Sequence, residues 1–238
     1  MLARGRRLKG RYYAVSDDDL WTAWFDANRT VLETAYLRGR SPWQQSGFGL
    51  HSVRTERSWE TLRRPVVDCL LDALPSSRSA QPIDFLDIGC ANGYLLQCSV
   101  EWAATAGVTL VPWGLDLSDK LVALARQRLP SHADHLFCGN AWTWTPPRRF
   151  NALRTELVYV PEPLRQRYIE RLLSEFLVED GVLLAAEYIG RTPEGETRTL
   201  GIDATLRGWG YAVVAVRSGM LDGAERARIA AVRREGSR

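Results

Sequence analysis

Residues 85–97 read FLDIGCANGYLLQ, an apolar run that closes on Asp87 and gives way to small residues at Gly89, Ala91 and Gly93 before a helix-like pattern resumes. A glycine-rich turn between a strand and a helix lets a ligand approach the backbone at the helix N-terminus. Asp87 narrows the choice of ligand. A dinucleotide would place its pyrophosphate beside that carboxylate, a repulsive pair at close range. Its G-x-G-x-x-G spacing would also need glycine at 91 and 94, where the chain carries Ala91 and Tyr94. A ligand with a cationic group would be attracted to the same acid. A second acid, Asp116, ends the apolar run VPWGLD, followed by Leu117. An acid at the end of the second strand is where nucleotide-binding α/β proteins accept hydrogen bonds from ribose hydroxyls, so this position alone does not separate one nucleotide ligand from another.

The stretch LDIGCANG resembles motif I of class I S-adenosylmethionine-dependent methyltransferases, whose usual pattern is an acid followed by G-x-G-x-G. The resemblance spans Asp84 to Val232 and implies S-adenosyl-L-methionine as cofactor, a ligand with both an ammonium and a sulfonium. It assigns Asp87, Gly89, Ala91 and Gly93 to the cofactor turn and Asp116 with Leu117 to the ribose. In FCGNAWTW it sets Asn140 and Ala141 near the adenine, with Trp142 as a stacking wall. Ala91 departs from the commonest glycine pattern but is small enough to keep the backbone accessible. Related enzymes hold the cofactor carboxylate with an arginine from a helix before motif I. Arg63 fits that role because it lies among Trp59, Leu62, Val66 and Val67 on one helical face, with Arg64 as the exposed alternative. The competing explanation for Arg63 is an aliphatic stem packed on apolar neighbours with its head in water.

Methyl transfer from a sulfonium is an in-line displacement in which positioning and desolvation lower much of the barrier. A base is needed only if the acceptor must lose a proton. The segment RTELVYVPEP lies where these enzymes face the transferred methyl, and it lacks the [ND]PP[YF] pattern of many nucleobase amine methyltransferases. Glu156, as a base or an amine anchor, and Tyr159, as a hydrogen-bonding wall, are the local candidates. Backbone capping by Glu156 and core packing by Tyr159 explain the same residues equally well. His51 is a further candidate base, in a loop with no evident partner. No metal-ligand spacing is present, and Cys69, Cys90, Cys98 and Cys138 show no CxxC pattern.

These residues need a parallel sheet to position them. From Pro82 onward, short apolar runs alternate with amphipathic ones, the pattern of an α/β, doubly wound, mostly parallel seven-stranded sheet ending in a C-terminal antiparallel hairpin. The predicted strands are IDFLDI, TLVPWGLD, DHLFCG, NALRTEL, VLLAAEYI, YAVVAV and ARIAAV, with helices over 94–106, 118–129, 163–177 and 197–209. Gly181 is the expected stop of the third of these helices. Residues 1–80 are rich in aromatics without a clear strand and read as an N-terminal helical cap, with helices near 17–37 and 58–74; residues 81–238 form the cofactor domain.

The net charge is +3, with acids scattered among the arginines, which argues against nucleic acid as a partner. No run approaches the ~18 apolar residues of a membrane helix, and the basic N-terminus has no apolar stretch behind it, so the expectation is a cytoplasmic protein with no membrane partner. The favoured function is methylation of an O or N atom of a small-molecule acceptor such as a secondary metabolite. An RNA or protein methyltransferase, a non-catalytic binding module on the same fold and a dehydrogenase are the competitors. Monomer and homodimer both remain open.

Overall fold

Strands whose side chains are apolar on both faces can be buried only if helices cover both sides of the sheet. The strand over Ile83–Ile88 (β3) is buried at five of its six positions and the strand over Phe150–Glu156 (β6) at six of seven. The computed structural model describes residues 5–8, 11–14, 16–46, 55–75, 81–189 and 201–234. A short antiparallel hairpin, β1 (Gly5–Leu8) and β2 (Arg11–Ala14), precedes the main sheet, where the sequence showed no strand. The main sheet adds β4 (Leu110–Asp116), β5 (Leu136–Cys138), β7 (Leu177–Tyr188), β8 (Val213–Leu221) and β9 (Ala224–Arg233). Its order is β5-β4-β3-β6-β7-β9-β8, parallel from β5 to β7 and antiparallel across β9 and β8.

The chain winds outward in both directions from the β3–β6 pair. Helices α4 (Tyr94–Thr105) and α5 (Asp119–Arg128) follow β3 and β4, and they share one core with α2 (Glu56–Arg63) and α3 (Pro65–Ala73). Helices α6 (Arg165–Arg171) and α7 (Ile202–Gly208) cover the opposite face with Leu86, Ile88, Leu153 and Leu183. Each fully buried leucine, isoleucine or phenylalanine in these layers contributes ~1.5–3 kcal/mol. That term fixes which faces of the helices turn inward.

Helix α1 (Asp17–Leu37) belongs to neither layer alone. Its start is set by a capping box between Ser16 and Asp19, and Asp17, Asp18 and Asp19 sit at the positive end of the helix dipole. Trp142 Nε1 donates to Asp18 Oδ1 at 2.8 Å, and Ser118 Oγ donates to Glu33 Oε1 at 2.8 Å. The helix therefore runs over the carboxyl ends of the strands, from the loop after β5 to the turn after β4.

Several boundaries differ from the sequence expectation. The helix expected over 58–74 is two, because Pro65 cannot donate an amide inside a helix and instead starts α3. The helix expected over 163–177 tightens into α6, widens into a π-turn over Leu172–Phe176, and passes directly into β7. Gly181 lies inside that strand rather than ending the helix, while Asp180 takes the left-handed conformation at φ 57°. Of the helix expected over 197–209, residues 202–208 are helical and 197–200 lie outside the described residues. Cys69, Cys90 and Cys98 are buried free thiols, and Cys138 is exposed. Among the described residues no helix is long and apolar enough to cross a membrane.

Candidate active site

Between β3 and β6 the winding direction reverses, the position at which open α/β sheets part and bind ligands. A cavity of about 380 Å³ opens there. One part of its wall comes from the turns after β3, β4 and β5: Gly89, Ala91, Asp116, Leu117, Asn140 and Ala141. The other part comes from the cap helix and the end of β6, with Trp21, Trp24, Tyr36, Glu156, Val158 and Tyr159. Arg63 and Arg154 also reach the wall.

The turn after β3 is built for an acid on the next strand. Ala91 takes a left-handed φ of 47°, unusual for a residue with a Cβ. This aims its amide at Asp116 Oδ2, 2.8 Å away, while Ser118 N donates to Asp116 Oδ1 at 2.9 Å. Burial pushes the Asp116 carboxyl up to about 6, against the pull of those amides. Each oxygen keeps acceptor capacity for a hydroxyl donor.

The floor below β3 and β6 is a cluster of buried charge. Asp87 and Arg154 face each other across the parallel pair, and Arg154 Nη1 lies 3.0 Å from Asp87 Oδ1. Two residues along, on the same face of β6, Glu156 Oε1 accepts from Arg154 Nη2, from Arg63 Nη1 at 3.5 Å and from Tyr159 Oη at 2.8 Å. All four charged groups are buried, two of each sign. Arg63 also stacks over the Tyr188 ring, its Cζ 3.7 Å from the ring centre. Burial works against the Arg63 guanidinium, but the Tyr188 phenol and the Glu156 carboxylate hold it above its ordinary range. Burial raises the Asp87 carboxyl in spite of Arg154, and Asp87 Oδ2 is buried with no hydrogen-bond donor. A carboxylate oxygen in that condition costs free energy until a donor reaches it. Two phenols, Tyr36 and Tyr159, line the cavity. Burial and the nearby Glu156 and Asp116 push Tyr36 up to about 12, and burial with Glu156 pushes Tyr159 well above the usual range, so both are hydrogen-bond donors at neutral pH.

The structure gathers Gly89, Ala91, Asp116, Leu117, Asn140, Ala141, Arg63, Glu156 and Tyr159 around one cavity. Asp87 and Gly93 are not on its wall. Gly93 serves the packing: its φ of 73° begins α4, and a Cβ there would press on Ala125 at 3.0 Å. Trp142 does not line the cavity either. It stacks on Trp21 with ring centres 5.3 Å apart, because its indole N–H is taken by the cap. His51 lies outside the described residues. Arg154 and Tyr36 were not singled out from the sequence. An arginine within the apolar strand NALRTEL was the available signal for the first, since a buried guanidinium requires an anion.

No protein-family model and no curated protein matches the sequence. Solved structures match in fold. The 1,6-didemethyltoxoflavin-N1-methyltransferase of Burkholderia thailandensis, solved with 1,6-didemethyltoxoflavin and S-adenosylhomocysteine, is 15% identical with a TM-score of 0.61, over 90% of both chains. The magnesium protoporphyrin IX methyltransferase of Synechocystis PCC 6803, solved with bound S-adenosylmethionine, is 15% identical with a TM-score of 0.54, covering 94% of this chain and 100% of its own. The [4+2]-cyclase SpnF is 15% identical with a TM-score of 0.58, covering 93% and 98%. The chain has the fold of class I S-adenosylmethionine-dependent methyltransferases.

Proposed function

We propose that the protein is an S-adenosylmethionine-dependent methyltransferase acting on an O or N atom of a small molecule. The observation that carries this reading is a pair of acids at the switch point: Asp116 on the cavity wall, set by two backbone amides, and Asp87 one strand away, with a buried oxygen lacking a donor. The first suits ribose hydroxyls. The second suits an ammonium, and it opposes the phosphates of a dinucleotide. Asn140 and Ala141 flank the adenine, and Arg63, buried at the wall, pairs with the cofactor carboxylate. The cofactor supplies an electrophilic methyl group on a sulfonium. The protein holds the acceptor in line and excludes water, tasks suited to the enclosed wall of Trp21, Trp24, Tyr36 and Val158.

Glu156, expected as a base or an amine anchor, also holds its neighbours in place. Its Oε1 is engaged by three donors, so it fixes Arg63, Arg154 and Tyr159 in place. Helix α1 acts as the cap that closes the acceptor half, whereas α2 and α3, expected to belong to that cap, pack in the layer that covers the sheet. A mostly apolar cavity of about 380 Å³ with Trp21, Trp24 and Tyr36 on its wall favours a small acceptor over RNA or protein, which would need an open groove.

Calorimetry with S-adenosylmethionine, S-adenosylhomocysteine and NAD tests the cofactor, and tighter binding of NAD would overturn it. Since the cyclase SpnF shares the fold, transfer itself is tested by following a labelled methyl group into acidic, phenolic and amine acceptors.

A further inference from the structure

In the turn after β3, the space a ligand would use at Gly89 is filled. A Cβ built on Gly89 would lie 2.5 Å from Tyr159 Cε2 and 2.7 Å from its Cζ, so the phenol ring rests on the glycine itself. The ring is pinned there, its hydroxyl donating to Glu156 Oε1, which Arg154 and Arg63 hold from the other side. Gly89 reaches the cavity wall beside Asp116, Leu117, Asn140 and Ala141, but on its α-carbon the Tyr159 ring takes the place a ligand atom would need. Asp87 is buried, two residues before Gly89 near the end of β3, and its Oδ2 lacks a donor.

We propose that Tyr159 is the specificity-determining residue for the amino-acid end of the cofactor, a side chain that yields its seat on Gly89 only to a tail carrying an ammonium. The inference rests on the cofactor reading above and adds to it a selection step. A ligand seats its nucleoside without moving the protein. Its tail then meets the Tyr159 ring, whose departure loses the packing on Gly89 and the hydrogen bond to Glu156. An ammonium offsets that loss by giving Asp87 Oδ2 its missing donor, while Arg154 keeps Oδ1. A tail without the ammonium gains nothing comparable and stays outside.

Stopped-flow tryptophan fluorescence on the full chain tests this, because Trp21 and Trp24 line the cavity. The probes are methylthioadenosine, which has no tail, S-adenosylhomocysteine, and the analogue of the latter lacking only the amino group. For the wild type, S-adenosylhomocysteine should associate more slowly than methylthioadenosine but bind at least about tenfold tighter, with the deaminated analogue no tighter than methylthioadenosine. Tyr159→Ala should speed association of S-adenosylhomocysteine by about tenfold and leave methylthioadenosine within about twofold. Tyr159→Phe keeps the ring on Gly89 and loses only the bond to Glu156, so it should fall between, about fivefold faster than wild type. It also serves if the alanine variant does not fold. Unchanged association rates in both variants, with faster dissociation in the alanine variant, would make Tyr159 a static wall and overturn the proposal. A deaminated analogue that matches S-adenosylhomocysteine would overturn it too. If folded wild type binds neither methylthioadenosine nor S-adenosylhomocysteine, the cofactor reading itself fails.

Discussion

Arg154 stands directly across the parallel β3–β6 pair from Asp87 and meets it at 3.0 Å, joining the two strands whose separation creates the crevice. The same guanidinium reaches Glu156, so one arginine compensates two buried carboxylates. Replacing it by methionine keeps the stem volume and leaves both acids without their main partner. Arg154→Met should therefore lower unfolding stability by ~3–5 kcal/mol, the usual cost of a buried charge left unpaired. Urea titration of the apo protein measures it. A loss below ~1 kcal/mol would mean that water or other groups take over the pairing.

Glu156→Gln keeps one acceptor oxygen but removes the negative charge that Arg154 and Arg63 share and that Tyr159 donates to. Two guanidiniums then face Asp87 alone. The expected outcome is a stability loss of similar size, again ~3–5 kcal/mol, together with weaker cofactor binding as Arg63 loses its alignment. Intact stability and intact binding, with turnover alone reduced, would restore Glu156 to the role of base.

Asp116 ties cofactor affinity to pH. Its carboxyl is raised from 3.8 to about 6 by burial, so the folded protein binds this proton more tightly than the unfolded chain does. Linkage then gives a contribution that makes the fold less stable as pH rises from the lower value to the upper, and flat above it. Ribose hydroxyls donate to the ionised form. Affinity for S-adenosylhomocysteine should thus rise up to tenfold per pH unit below about 6 and level off above it. Calorimetry between acid and neutral pH checks the slope, and Asp116→Asn should abolish it.

Ala91 and Gly93 form a matched test of the turn. Ala91 holds φ 47°, a region that costs a residue with a Cβ ~1–2 kcal/mol, part of which glycine would return to unfolded-state entropy. Ala91→Gly should raise stability by up to ~1 kcal/mol with the amide still on Asp116. Gly93→Ala should lower it by ~1–3 kcal/mol, since its Cβ would be strained and crowd Ala125. Thermal melts of both variants decide the matter.

The cap should tighten on the ligand. Amides across α1 should exchange more slowly when S-adenosylhomocysteine is bound, because Glu33 bridges to Ser118 and Lys120 beside Asp116. Equal exchange with and without ligand would make α1 a fixed buttress.

The strands of the main sheet, its final antiparallel pair and the strand-end acids Asp87 and Asp116 were legible because apolar runs that end on a carboxylate leave a strong local signal. The cavity's charges were not. Arg154 stands out in sequence only as an arginine within an apolar strand, and its partner Asp87 comes from the register of β3 against β6. Gly93 was read as a ligand contact because glycine is required there, but the requirement comes from Ala125 on the neighbouring helix. Trp142 was placed on the adenine because nothing local shows that Asp18, far away in the chain, holds its indole N–H. Residues fixed by long-range partners escape a reading based on neighbours. The helix break at Pro65 was local and visible, and the apolar face running through it masked it.

The unequal exposure of the four thiols offers a practical handle. Burial pushes Cys69 and Cys98 up to about 12 and Cys90 well above its usual value, which removes the thiolate that alkylating reagents attack. Desolvation raises the Cys138 thiol too, but it alone of the four is open to solvent, its sulfur 3.6 Å from the carbonyl of Leu117 on the cavity wall. A maleimide dye added to the unaltered protein at mildly alkaline pH would thus attach at one place. It would stand at the rim of the crevice, a reporter of ligand arrival that needs no engineered cysteine.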